Sequence, residues 1–236
     1  MIRSNGRHHQ ASPKIEEQLM ATEDQPTNPV LPQDRVDDLF TTFQKYDRAM
    51  FHQQRTIYHQ LVERVIGKQV LEVGCGVGLG SGMLARPAAY LLGTDAIARN
   101  ITFAKEIYPW IPFEIWDVEA PRLLGFRPQV IVAVEVIEHV SKDVQAMKHL
   151  LRLGARDLWI STPNGGALGK TVPPSNPHHV REYRVSEFFH LVEKTNLAKK
   201  AYCYQVTAHS WENLEKLVSM EETEVDPIVY HLQRKD

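Results

Sequence analysis

Five short apolar runs punctuate residues 69–162, with helical stretches placed among them. They are QVLEV (69–73), AYLLGTD (89–95), FEIWDV (113–118), VIVAVEV (130–136) and DLWIST (157–162). Helical spacing marks the intervening segments around Ser81–Ala85, Ile97–Ile107 and Val144–Leu153. VIVAV is apolar at every position, as a strand buried on both faces must be. A strand–helix–strand order of this kind implies a parallel sheet with helices on both faces.

The flanks differ. Residues 1–34 are rich in Gln, Asn, Ser, Thr and Pro and poor in large apolar side chains, so a flexible tail is expected. From Arg35 to Ile66 apolar residues recur at helical spacing: Val36, Leu39, Phe40 and Phe43, then Ile57, Leu61, Val62 and Val65. Gly67 is expected to end the second of these helices. Residues 35–67 thus read as N-terminal helices ahead of a domain over 68–236. Within it, Pro163–Pro177 reads as loop, VSEFFHLVEKT (185–195) as an amphipathic helix, and AKKAYCYQV (198–206) with DPIVYHLQR (226–234) as a closing antiparallel pair.

Composition narrows the function classes. Of 236 residues, 43% are hydrophobic, enough for one sizeable core, and the net charge of −2 gives no general attraction to nucleic acid or anionic membrane. Cys75 and Cys203 are the only cysteines, so a disulfide framework is not indicated. The N-terminal stretch has no apolar core of signal-peptide length, and no run approaches the roughly 20 apolar residues that span a bilayer. A cytoplasmic protein is expected.

The strongest local signal is VLEVGCGVGLGS (70–81), where a buried strand runs into Gly74, Gly76 and Gly78. Glycines at a strand-to-helix turn allow positive φ and close approach of a ligand to the backbone. The spacing is Glu-x-Gly-x-Gly-x-Gly rather than the dinucleotide pattern Gly-x-Gly-x-x-Gly. Glu72 in the strand end suits an ammonium group and disfavours a pyrophosphate. Asp95 ends the second strand about 20 residues on, where an acid accepts from ribose hydroxyls. Asp117, at the end of the third run, suits an exocyclic adenine amine, and Val118 offers a backbone N–H and an apolar contact for the ring. A ligand with an amino-acid head, a ribose and an adenine is S-adenosylmethionine. A nicotinamide oxidoreductase and a non-catalytic binding or assembly module are the competing readings; Glu72 and the glycine spacing oppose the first, and the intact run of acids opposes the second.

LEVGCGVGLGS, GTDA, FEIWDVE and VIVAVEVIEHV, in this order over roughly residues 68–165, resemble the class I S-adenosylmethionine-dependent methyltransferases. The resemblance implies an α/β, Rossmann-like, seven-stranded mixed sheet with the last strand antiparallel. It implies cofactor contacts from Glu72, Gly74, Gly76, Asp95, Ala96, Asp117, Val118 and Glu135. In this fold N-terminal helices often cap the cofactor cleft, which brings Tyr46, Arg48, Phe51, His52 and Tyr58 into consideration.

The fourth run ends in Glu135, Glu138 and His139, which share one face of a helical turn. Two carboxylates and an imidazole suit Mg²⁺ or Mn²⁺, or a general base. Loops leaving the carboxyl ends of parallel strands converge, so His178 and His179 from PSNPHHVREY can reach the same place. The expected metal set is Glu135, Glu138, His139 and His179; the expected proton acceptors are His139, His179 and Glu138. Arg181 and Glu182 are expected to hold the loop as an ion pair. Glu-x-x-Glu-His with a distant His is similar to the metal site of small-RNA 3′-terminal 2′-O-methyltransferases, and its first part to ubiquinone-biosynthesis O-methyltransferases. STPNGG with NPHHVREYRVSEFF more closely resembles a bacterial and phage set, many of whose genes accompany those for glycans or surface polymers. The acceptor is expected to be an oxygen or nitrogen of a small molecule, sugar or polymer end, with metal-assisted RNA 2′-O-methylation as the alternative.

Overall fold

The computed structural model describes residues 48–167, 172–206, 214–216 and 226–235. Tyr46 and the expected tail over 1–34 lie outside these residues, and of Arg48, Phe51 and His52 only the helical backbone is described.

Eight strands form one sheet: β1 (Gln69–Val73), β2 (Tyr90–Asp95), β3 (Phe113–Ile115), β4 (Val130–Val134), β5 (Asp157–Thr162), β6 (Ala198–Val206), β7 (Leu214–Lys216) and β8 (Ile228–Arg234). The order is β3-β2-β1-β4-β5-β8-β6-β7. Pairing is parallel from β3 to β5, and β8 enters antiparallel between β5 and β6. The expected seven-stranded mixed sheet is therefore present, extended by the short β7 on the edge of β6.

Among the described residues five α-helices accompany it: α1 (Arg48–Val62), α2 (Leu79–Leu84), α3 (Ala98–Ile107), α4 (Asp143–Arg152) and α5 (Val185–Thr195). Alternation along each strand divides the core in two. Leu71, Ile131, Ala133, Leu158 and Ile160 pack with Met147 and Leu150 of α4 and Phe188 and Leu191 of α5. Val70, Leu91, Val130, Val132 and Trp159 pack with Ile57 and Leu61 of α1, Leu84 of α2 and Ile101 of α3. Both faces are covered, which is why the central strands carry apolar residues at successive positions. Cys75 and Cys203 are buried in separate clusters.

Several boundaries depart from the sequence reading, among them the following. Strand β3 ends at Ile115, before Asp117: the Trp116 amide makes the last ladder bond, to the Asp95 carbonyl at 3.0 Å, and Asp117 Oδ1 then accepts the Glu119 amide at 2.9 Å in a turn. Strand β4 ends at Val134, because Glu135 adopts φ 55°, which no strand residue can hold. Helix α1 ends at Val62, and Gly67, at φ 66°, shapes the turn beyond it rather than its last residue.

Candidate functional site

Strands β1 and β4 are neighbours, and the chain passes to opposite sides of the sheet from that seam. Ligands of open parallel sheets bind at the carboxyl edge of such a switch point. The glycine turn after β1 lies there. Gly74 has φ 69° and faces Val136, so a Cβ on it would sit 2.4 Å from Val136 Cγ2. Gly76, at φ 54°, has no heavy atom within 4 Å of where a Cβ would stand, and so offers open space over bare backbone.

The acids of the edge shape this turn. Asp95 Oδ2 accepts the Gly76 amide at 2.9 Å, and Oδ1 accepts the Ile97 amide at 2.8 Å and the Asn100 side chain at 3.1 Å. Ala96 follows it, exposed. Glu72 is wholly buried; Oε1 accepts the Tyr58 hydroxyl at 2.7 Å and Oε2 accepts the Ser81 hydroxyl. Burial lifts its carboxyl to about 7, against the pull of those two hydrogen bonds. Glu72 thus stands beneath the loop, held by two hydroxyls. Asp117 is exposed in the turn after β3, and Val118 beside it is buried with its carbonyl 2.9 Å from His149 Nδ1.

Glu135 is the outlier that organises the corner. Its amide lies 3.2 Å from the Ser161 carbonyl and 3.1 Å from the Ser161 hydroxyl, and that hydroxyl donates to Glu135 Oε1 at 2.7 Å. Left-handed φ at a non-glycine residue is uncommon and costs about 1–2 kcal/mol, and it is found where surrounding bonds over-determine it.

Past Glu135 the chain makes a 3₁₀ turn over Ile137–His139. The loop after β5 docks on it: the Val180 amide donates to the Glu138 carbonyl at 2.8 Å. Glu138, His139 and His179 thereby present ligand atoms within 4.8 Å of one another. Glu135 does not join this group; its carboxylate is turned to Ser161. His178, expected to reach this corner, contributes its carbonyl rather than its ring, and Asn176, which no spacing singled out, joins it in orienting the imidazoles. The His178 carbonyl lies 2.9 Å from His139 Nδ1 and can only accept, so that nitrogen carries the proton and Nε2 the lone pair. Glu182 Oε1 fixes His179 Nδ1 in the same way at 2.8 Å, and the Asn176 amide nitrogen lies 2.9 Å from His179 Nε2. Arg181 pairs with Asp143 at 2.8 Å, and Glu182 pairs with His179, in place of the expected bridge between the two.

Glu138 is fully buried, and neither carboxylate oxygen has a hydrogen-bond partner. Burial, and then the Glu135 charge, raise its pKa well above the usual carboxylate range. The Thr162 hydroxyl opposes that shift without standing in hydrogen-bonding geometry. Burial lowers the pKa of His139, so its imidazole is neutral at pH 7.

No helix among the described residues is long and apolar enough to cross a membrane. Residues 71–157 match the family model described as a methyltransferase domain. A probable S-adenosylmethionine-dependent methyltransferase of Mycolicibacterium smegmatis is 30% identical over 148 residues, covering 61% of this chain and 57% of that protein. A ubiquinone biosynthesis O-methyltransferase of Cereibacter sphaeroides is 36% identical over 95 residues, covering 37% of this chain and 38% of its own length. The matched stretches thus span less than two thirds of either relative. A solved methyltransferase of Thermotoga maritima, described as a possible histamine N-methyltransferase, superposes with a TM-score of 0.60 at 15% identity, covering 86% of this chain and 99% of its own. Sheet order, glycine turn and matched sequence agree: over residues 71–157 the chain is similar to a methyltransferase domain, and its fold is that of the solved class I methyltransferases.

Proposed function

We propose that the protein transfers a methyl group from S-adenosylmethionine to an oxygen or nitrogen of a small molecule, sugar or polymer end. One observation carries this reading: the open backbone at Gly76, gripped by Asp95, shares an edge with a histidine whose lone pair is set by a carbonyl. Gly74, Gly76, Asp95, Ala96, Asp117 and Val118 are assigned to the cofactor, with Glu72 behind the loop and Glu135 at the corner. When bound, S-adenosylmethionine supplies an electrophilic methyl on a sulfonium. The chain contributes mainly position, and holding an acceptor in line removes a large part of a bimolecular barrier.

His139 is assigned as the proton acceptor. It is neutral at pH 7, and Nε2 bears its lone pair. His179 Nε2 already faces the Asn176 amide, which leaves His179 as the orienting neighbour, with rings 4.9 Å apart. Glu138 is fully buried, whereas His139 is exposed, which leaves the imidazole as the group an acceptor can reach. The O-methyltransferase relative favours oxygen as the acceptor atom. A labelled-methyl screen of glycans, small RNA and quinol-like phenols tests the acceptor class. Transfer to none of these fractions, with His139→Asn as the control, speaks against catalysis. A cytoplasmic location belongs to the same proposal, supported by two cysteines that are buried apart from each other and build no disulfide framework.

A second reading adds a divalent cation at Glu138, His139 and His179. The orphaned, fully buried carboxylate of Glu138 favours it, since such a group needs a proton or a cation. Mn²⁺ suits two imidazoles and a carboxylate better than Mg²⁺. Bound there, it would lower the pKa of an acceptor hydroxyl. The Asn176 contact to His179 Nε2 must open for this to happen. Mn²⁺ is expected to raise the thermal midpoint of the wild type and not of Glu138→Ala; no rise in the wild type makes the corner metal-free.

A further inference from the structure

Tyr58 stands on α1, ahead of the sheet and outside every glycine-loop motif, yet its hydroxyl donates to Glu72 Oε1 at 2.7 Å. Ser81, in α2, donates to the other oxygen of the same carboxyl. All three side chains are buried. Gly80 is wedged against them: a Cβ there would lie 2.1 Å from Tyr58 Cζ and 2.4 Å from Glu72 Oε1. The strand that leads into the turn, the helix that leaves it and the helix from the N-terminal segment therefore meet at one carboxyl group.

We propose that Tyr58 is a positioning residue of the cofactor loop, holding Glu72, and through it Ser81, so that residues 74–78 keep their shape only while α1 is docked. This deepens the methyltransferase reading and rests on it. The N-terminal helix is then part of the cofactor site through a hydrogen bond, not only a cap over a cleft.

The chemistry gives the proposal a signature that packing alone lacks. The groups around Glu72 are Tyr58 from α1, Ser81 from α2, Cys75 from the turn, Asp95 from β2 and Tyr108 after α3. Burial raises the Glu72 carboxyl to about 7; the Ser81 and Tyr58 hydroxyls lower it, and the Asp95 charge raises it. Removing either hydroxyl shifts that titration upward. A cationic amino group in the ligand favours the ionised carboxylate, so affinity rises as pH climbs through the titration.

The test titrates the full chain with S-adenosylhomocysteine from about pH 6 to about pH 8.5, either side of the Glu72 value of about 7. Tyr58→Phe is expected to weaken binding roughly tenfold at neutral pH, the scale of one hydrogen bond to a charged group, and to move the pH midpoint of affinity upward. Ser81→Ala is expected to move the midpoint the same way, which keeps the test decisive if Tyr58→Phe folds poorly. Leu61→Ala, which opens a cavity under α1 without touching the hydroxyl, is expected to lower the thermal midpoint and leave the pH midpoint in place. The proposal is overturned if both hydroxyl variants keep the wild-type pH midpoint, or if Leu61→Ala moves it as far as they do. A wild type that does not bind at any pH overturns the methyltransferase reading itself.

Discussion

The amide of Val180 donates to the carbonyl of Glu138 across 2.8 Å, and the Arg181 amide reaches the same oxygen at 3.4 Å. Through this contact the loop that follows β5 is sewn to the corner that follows β4. It sets His179 beside His139, although 40 positions separate them in the chain.

His139→Asn is expected to lower turnover by about 10²–10⁴, the range for loss of a general base, while leaving S-adenosylhomocysteine affinity within about twofold. The low-pH limb of the rate profile should vanish with it. That limb should fall below the ordinary histidine value, because burial lowers the His139 pKa. Single-turnover rates across pH check this; an unchanged profile removes His139 from the reaction.

Gly74→Ala and Gly76→Ala separate close packing from backbone strain. Both have positive φ, which costs an L-residue about 1–2 kcal/mol. Only at Gly74 does the new methyl also meet Val136, at 2.4 Å, adding about 1–3 kcal/mol of overpacking. Gly74→Ala is expected to unfold at distinctly lower denaturant than Gly76→Ala. Equal midpoints would mean that Val136 yields without cost.

The buried acids give stability an unusual slope with pH. Glu72 rises from 4.5 unfolded to about 7 folded, so the folded chain binds a proton that the unfolded chain has lost. Its contribution is fully present below pH 4.5 and is lost as pH rises to about 7, a change of about 3 kcal/mol. Glu138 acts in the same direction. Glu72→Gln should flatten unfolding free energy against pH over that window, measured by urea titration; an unchanged slope contradicts the burial argument.

If a cation enters the corner, it competes with the proton on Glu138. Mn²⁺ affinity is then expected to rise with pH, and Asn176→Ala, which frees His179 Nε2, to strengthen binding. Metal titration at two pH values decides it, and affinity independent of pH contradicts the assignment.

The sheet was legible because its central strands are apolar at successive positions, so β5, α5 and β6 were bounded correctly from pattern alone. What the pattern could not show was backbone geometry. FEIWDV continues as an apolar run, yet β3 stops where the Asp117 carboxylate caps a turn. VIVAVEV reads as one strand, yet Glu135 leaves it at φ 55° under the hold of Ser161, 26 positions away. Strand β7 is three residues long, too short to carry a period. At the site, glycine spacing and the acids that follow it were visible because each answers to a chemical need. Tyr58 and Asn176 were not assigned roles, since a tyrosine on a helix or an asparagine in a loop has no spacing that announces a partner. Glu72 was picked out as a carboxylate at the strand end; its hydrogen bonds to Tyr58 and Ser81 come from the packing of α1 and α2, which the spacing does not announce.

The turn after β1 and Asp95, the acid that ends β2, are proposed as the site for S-adenosylmethionine. Isothermal titration of the full chain with S-adenosylhomocysteine tests it most directly, with Asp95→Ala beside the wild type. The expected result is a single saturable site in the wild type, weakened at least tenfold in Asp95→Ala, which loses the hydrogen bonds at Gly76, Ile97 and Asn100. No heat of binding in the folded wild type at millimolar ligand, or equal affinity in the two proteins, would contradict it.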